Sequence, residues 1–85
     1  MINDDRVHVT RFDFVPGAET GMQRHMLDYV ITALTDCPML MIWADGAERR
    51  VLVPAGTCYR RDAGAEHNVI CDGDEDMSFV EVELK

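Results

Sequence analysis

The sequence predicts an all-β fold, a small barrel or sandwich of short strands. Three observations carry that expectation. β-branched and aromatic residues gather in runs of strand length, among them residues 7–14, 27–34, 48–53 and 78–84. Turn chemistry punctuates those runs at Pro16-Gly17, Asp45-Gly46, Pro54-Ala55-Gly56 and Ala63-Gly64. No segment shows a convincing helical period.

Residues 1–5 are polar and are expected to fray. Residues 7–14 put Val7, Val9, Arg11 and Asp13 on one face and His8, Thr10, Phe12 and Phe14 on the other. Pro16-Gly17 ends that strand. Residues 20–25 make a weaker strand, in which Gln23 and His25 stand two apart and so share a face. Residues 27–34 are strongly β, through Tyr29, Val30, Ile31 and Thr32. Residues 35–38 are expected to turn the chain. Residues 39–43 then form an apolar strand, with Met39, Met41 and Trp43 on one face.

Asp45-Gly46 is a hairpin turn into residues 48–53. Residues 57–61 form a short strand with Tyr59 and Arg61 on one face. Residues 67–71 form another, with His67 and Cys71 on one face. An acidic loop at 72–76 leads to the last strand, where Phe79, Glu81 and Glu83 alternate with Val80, Val82 and Leu84. Asp72, Asp74 and Asp76 have the spacing of a calcium loop, but Met77 stands where that loop requires glycine.

A chain of 85 residues holds one domain, 1–85, with a modest core. Association with a second copy would add to that core, so a homodimer is expected. The formal net charge of −8 opposes a nucleic-acid or anionic-membrane surface. No apolar run approaches a membrane span. Cys37, Cys58 and Cys71 are odd in number and lack CxxC spacing, which fits neither a disulfide framework nor a zinc finger. With no apolar leader at the N-terminus, a cytoplasmic protein is expected.

Gly17, Gln23 and His25, followed by Gly56, Gly64 and His67, have the order and spacing of two known motifs. The pattern resembles the cupins, whose motifs are G-x5-H-x-H-x3,4-E-x6-G and G-x5-P-x-G-x2-H-x3-N. Gln23 stands at the first histidine position, and Tyr29 or Val30 at the glutamate position. Asp36 or Cys37 replaces the closing glycine of the first motif. In the second, Asp62 replaces the proline and Cys71 the asparagine. Tyr29 and the ending from Phe79 to Lys85 look like the short single-domain cupins that include beta-alanine degradation proteins.

The resemblance implies a cupin-type jelly-roll (double-stranded β-helix) barrel with a pocket inside it. Metal-holding cupins use three histidines and a glutamate on an Fe, Mn, Ni or Zn ion. By that analogy Gln23, His25 and His67 are the metal candidates here. Imidazole suits these ions, whereas a carboxamide oxygen is a neutral and weaker donor. Tyr29 ligates only as phenolate, against a reference pKa of about 10. A weakened or lost metal site is therefore expected. The plainer reading makes Gln23, His25 and Tyr29 a hydrogen-bonded polar cluster.

Tyr29, Trp43, Tyr59 and Arg61 are the ligand-binding candidates. If its face is the inner one, Arg61 offers a fork that holds a carboxylate in bidentate fashion; otherwise it is a surface arginine. Trp43 suits the mouth of a pocket, or equally a core or dimer contact. Met39 and Met41 suit an irregular core or a subunit contact. His8 has no partner at ligand spacing.

Three functions follow. The first is a small cupin that binds a small molecule, a carboxylate or amino-acid-like metabolite, with little or no metal. The second is a metal-dependent enzyme of oxygenase or isomerase type. The third is a structural module with a filled barrel. Loss of a histidine and the glutamate favours the first over the second.

Overall fold

A computed structural model describes residues 1–85. Nine strands follow one another: β1 (Ile2–Asn3), β2 (Val7–Phe14), β3 (Gln23–Arg24), β4 (Asp28–Ala33), β5 (Cys37–Trp43), β6 (Glu48–Val53), β7 (Cys58–Arg61), β8 (Glu66–Cys71) and β9 (Met77–Leu84). They form two sheets, ordered β1-β2-β9-β4-β7 and β3-β8-β5-β6. Every pairing is antiparallel. The sheets are the two walls of a jelly-roll barrel, and no helix of the chain is long and apolar enough to cross a membrane.

Alternation decides which side chains enter the barrel. On β9 the inward residues are Met77, Phe79 and Glu81, all buried. Their cross-strand neighbours on β4 are Ile31 and Ala33, and on β2 Thr10, Phe12 and Phe14. On the facing sheet the inward set is His67, Val69 and Cys71 from β8, and Cys37, Met39, Met41 and Trp43 from β5.

Read along the strands, these rows change character from one end of the barrel to the other. Cys37, Cys71, Met77 and Phe79 fill one end. There Phe79 lies 5.1 Å from Phe12 and 5.6 Å from Phe14, centroid to centroid. Stacked and edge-on rings at such distances add to the area they bury. At the other end the same strands contribute Tyr29, Trp43, His67 and Glu81. The apolar end holds the closely packed core, and the polar end gathers titratable and aromatic side chains.

Three expectations are corrected. Residues 1–5 do not simply fray, because Ile2 and Asn3 pair with Val9 and His8, and the terminal ammonium donates to the Val9 carbonyl at 2.9 Å. The weak strand at 20–25 is regular only at Gln23 and Arg24, with one bridge from Glu19 to Ile70 beside it. Cys37 and Pro38 belong to β5 rather than to a turn. Pro38 lies beyond the first β5–β8 pair, Met39 with Cys71, so the missing N–H falls at the end of that ladder, and its carbonyl still accepts from Asp72 N at 2.9 Å. Of the two readings of Met39 and Met41, the core one holds, since they are 1% and 7% exposed.

Candidate functional site

The polar end is built from the turn between β7 and β8 and the strand it meets. Gln23 lies directly opposite His67. His25 follows, and its N–H donates to the Ala65 carbonyl at 2.7 Å while its carbonyl accepts from Gly64 N at 2.7 Å. Gly64 has φ +104°, which a residue with a Cβ rarely adopts. That turn brings the His25 and His67 rings to 5.1 Å. His25 stacks on Tyr29 at 4.1 Å, and His67 on Trp43 at 5.7 Å.

Both histidines are almost enclosed, at 6% and 5% exposure. Burial lowers the pKa of His25 against an opposing pull from Glu83. Burial also lowers that of His67, and the His25 and Arg61 charges lower it further. Neither ring nitrogen of His67 has a hydrogen-bond partner in the protein. A polar group entering from the cavity that His67 lines could bond to either nitrogen.

Glu81 was not among the residues singled out from the sequence. It enters from β9, 6% exposed, with an oxygen 4.0 Å from His25 Nδ1. Burial, aided by the neighbouring Glu83 charge, pushes its pKa up to about 7. The contact therefore joins a largely neutral imidazole to a carboxyl inclined to hold its proton, at a distance too long for a hydrogen bond. Alternation with Phe79 is the signal that places Glu81 inside.

Beside this cluster a cavity of about 420 Å³ opens between β5–β6 of one sheet and β4–β7 of the other. Tyr29, Trp43 and Tyr59 form its aromatic wall, Met41, Val51 and Val53 its aliphatic side, and His67 its floor. Burial holds Tyr59 as the neutral phenol, its pKa pushed up to about 12. Burial and the Glu81 charge likewise raise that of Tyr29, against its use as a phenolate ligand.

Arg61 folds over the mouth with its guanidinium carbon 4.7 Å from the Tyr59 ring centre. Its Nη1 donates to the Arg60 carbonyl at 3.1 Å, and no carboxylate pairs with it. Arg49, also absent from the sequence candidates, lines the same cavity without an acidic partner. By contrast Arg11, Arg50 and Arg60 pair with Asp13, Asp72 and Asp28.

The structure therefore brings Gln23, His25, Tyr29, Tyr59 and His67 around one small chamber, and Trp43 and Arg61 around the adjoining cavity. His8 lies apart and faces Glu83 at 3.1 Å. No group of three or more His, Cys, Asp or Glu side chains is placed to hold a metal ion. As arranged, the donors do not fit a preformed divalent centre: Gln23 brings only an amide, Tyr29 a neutral phenol, and the Glu81 carboxyl, inclined to hold its proton, stands 4.0 Å from His25 Nδ1.

No family model matches the chain. It is 45% identical over all 85 residues to the beta-alanine degradation protein BauB of Pseudomonas aeruginosa, covering 88% of that protein. A cupin domain from Bordetella pertussis superposes with a TM-score of 0.93 at 42% identity, over 99% of this chain and 86% of the other. A cupin superfamily protein from Desulfitobacterium hafniense superposes with a TM-score of 0.75 at 14% identity, over 99% and 72%, a likeness of fold alone.

Proposed function

The chain belongs to the cupin family, and from that premise we propose that it binds a small organic carboxylate in the cavity between β5–β6 and β4–β7. The observation that carries this reading is Arg61, an unpaired guanidinium stacked over an aromatic-walled cavity in a protein of net charge −8. Acidic residues are abundant, yet none neutralises it. A guanidinium in that position matches the planar, bidentate geometry of a carboxylate. The cavity volume lies at the small end of ligand sites, which suits a metabolite of few heavy atoms. A relative named for beta-alanine degradation, itself the fate of a small carboxylate, supports the same class. A cavity of about 420 Å³ between the two sheets counts against a purely structural barrel.

Calorimetric titration with butyrate tests the reading. Binding is expected in wild type, and Arg61→Gln should weaken it about tenfold or more, the value of one charge-assisted bond. Equal binding by both proteins would overturn the assignment of Arg61.

A metal-dependent oxygenase or isomerase is the second reading, and Glu81 favours it by bringing a carboxyl beside His25. The absence of a third well-placed ligand side chain weighs against it. Elemental analysis of protein purified without added metal decides between them. A small fraction of an equivalent agrees with the first reading, and a full equivalent of iron, manganese, nickel or zinc moves the second ahead.

A further inference from the structure

A single anionic group would engage only one of the two arginines that line the cavity. β6 and β7 are consecutive strands, and each ends its sheet: β6 the four-stranded one, β7 the five-stranded one. From the turn that joins them, the inward residues run Val53, Val51, Arg49 on one strand and Tyr59, Arg61 on the other. Arg49 stands opposite Met41 and Arg61 opposite Tyr29, so the two edge strands bring their guanidiniums to the same open end. Neither has an acidic partner, and both line the one cavity.

We propose that the ligand is a short-chain dicarboxylate, one carboxylate held by Arg61 and the other by Arg49, with its methylene chain against Tyr59 and Val51. This rests on the carboxylate reading given above and adds the second charge to it. The aromatic wall offers the chain apolar contact. Tyr29, Tyr59 and the floor histidine carry no negative charge to the mouth, so a second carboxylate meets no repulsion from them.

Succinate and butyrate share a four-carbon chain and differ in the second carboxylate, which makes them the probes. Both are titrated calorimetrically into the full chain at one fixed ionic strength, because screening weakens exposed charge pairs. Wild type should bind succinate roughly tenfold tighter than butyrate. Arg49→Gln should abolish that preference, and Arg49→Lys should keep part of it. Arg61→Gln should weaken both ligands. Thermal melts of the free variants confirm that each is folded.

If butyrate binds through Arg61 while succinate binds no tighter, the dicarboxylate inference falls and the carboxylate reading stands. The inference falls too if the preference for succinate survives Arg49→Gln. If neither acid binds wild type, both readings fall together.

Discussion

Gln23 marks the main departure of this chain from a metal-binding cupin, and its side chain borders the chamber shared by His25 and His67. An imidazole is the better donor to zinc, and the strand position already directs the side chain inward. Gln23→His should therefore raise zinc affinity about tenfold in a competitive chelator titration. His67→Ala in that background should remove the gain. A folded Gln23→His protein that binds zinc no better would show that the ring does not reach His25.

Glu81 gives the second residue-scale prediction. Its pKa rises from 4.5 to about 7 on folding, so the folded state holds the proton more tightly than the unfolded chain. The stability it contributes is present below about pH 4.5 and is lost as pH rises through about 7. His25 and His67 act oppositely: their lowered pKa values contribute stability above 6.5 that is lost as pH falls. Glu81→Gln should cancel the first effect and expose the second. Urea unfolding of the two proteins should show wild type losing up to about 3 kcal/mol relative to the variant between pH 4.5 and 7. A difference independent of pH would contradict the buried setting of this carboxyl. At this scale the sequence was only partly legible. Gln23, His25 and His67 stand at motif positions, whereas Glu81 and Arg49 belong to no motif and are found only when alternation is followed along β9 and β6.

At the scale of elements, most strands were legible because alternation and turn residues agree. Glu48–Val53 has the expected bounds, and Asp45-Gly46 makes its hairpin, with Ala47 N donating to Asp45 Oδ1 at 3.0 Å. The start of β5 was not legible. Pro38 looks like a turn residue, and only the end of the neighbouring strand shows why a ladder can tolerate it.

Gly73 depends on that same proline. A Cβ built on Gly73 would lie 2.6 Å from Pro38 Cγ, on a rigid ring that cannot swing away. Gly73→Ala should lower unfolding free energy by about 1–3 kcal/mol in urea titration. At Gly46 a Cβ meets open space, but φ is +89°, so Gly46→Ala should cost about 1 kcal/mol through backbone strain alone. A neutral Gly73→Ala would contradict the close packing of the 72–76 loop on β5.

At the scale of the whole molecule, we propose a homodimer through the outer face of the five-stranded sheet. Ile2, Val9, Val82 and Val30 form one continuous row across four strands, and Val7 and Leu84 extend it. Arg11, Asp13, Asp28 and Arg60 give that face charges of both signs, so a second copy can meet it without net repulsion. Met39 and Met41 point into the barrel and take no part in this face. Sedimentation equilibrium at micromolar concentration should give about twice the 9.6 kDa chain mass, and Val82→Lys should give the monomer. A wild-type monomer would refute the interface.

The whole-molecule arrangement, an apolar end and an open end lined by unpaired guanidiniums, is what points to carboxylate recognition. Trp43, the single tryptophan of the chain, lies in the wall of the cavity and reports on it directly. The decisive measurement is a fluorescence titration of the wild-type protein and Arg61→Gln with butyrate and with its neutral amide, butyramide. A saturable change with butyrate, weaker for butyramide and weaker again in Arg61→Gln, is the predicted result. An identical response to acid and amide, or no response to either, would contradict it.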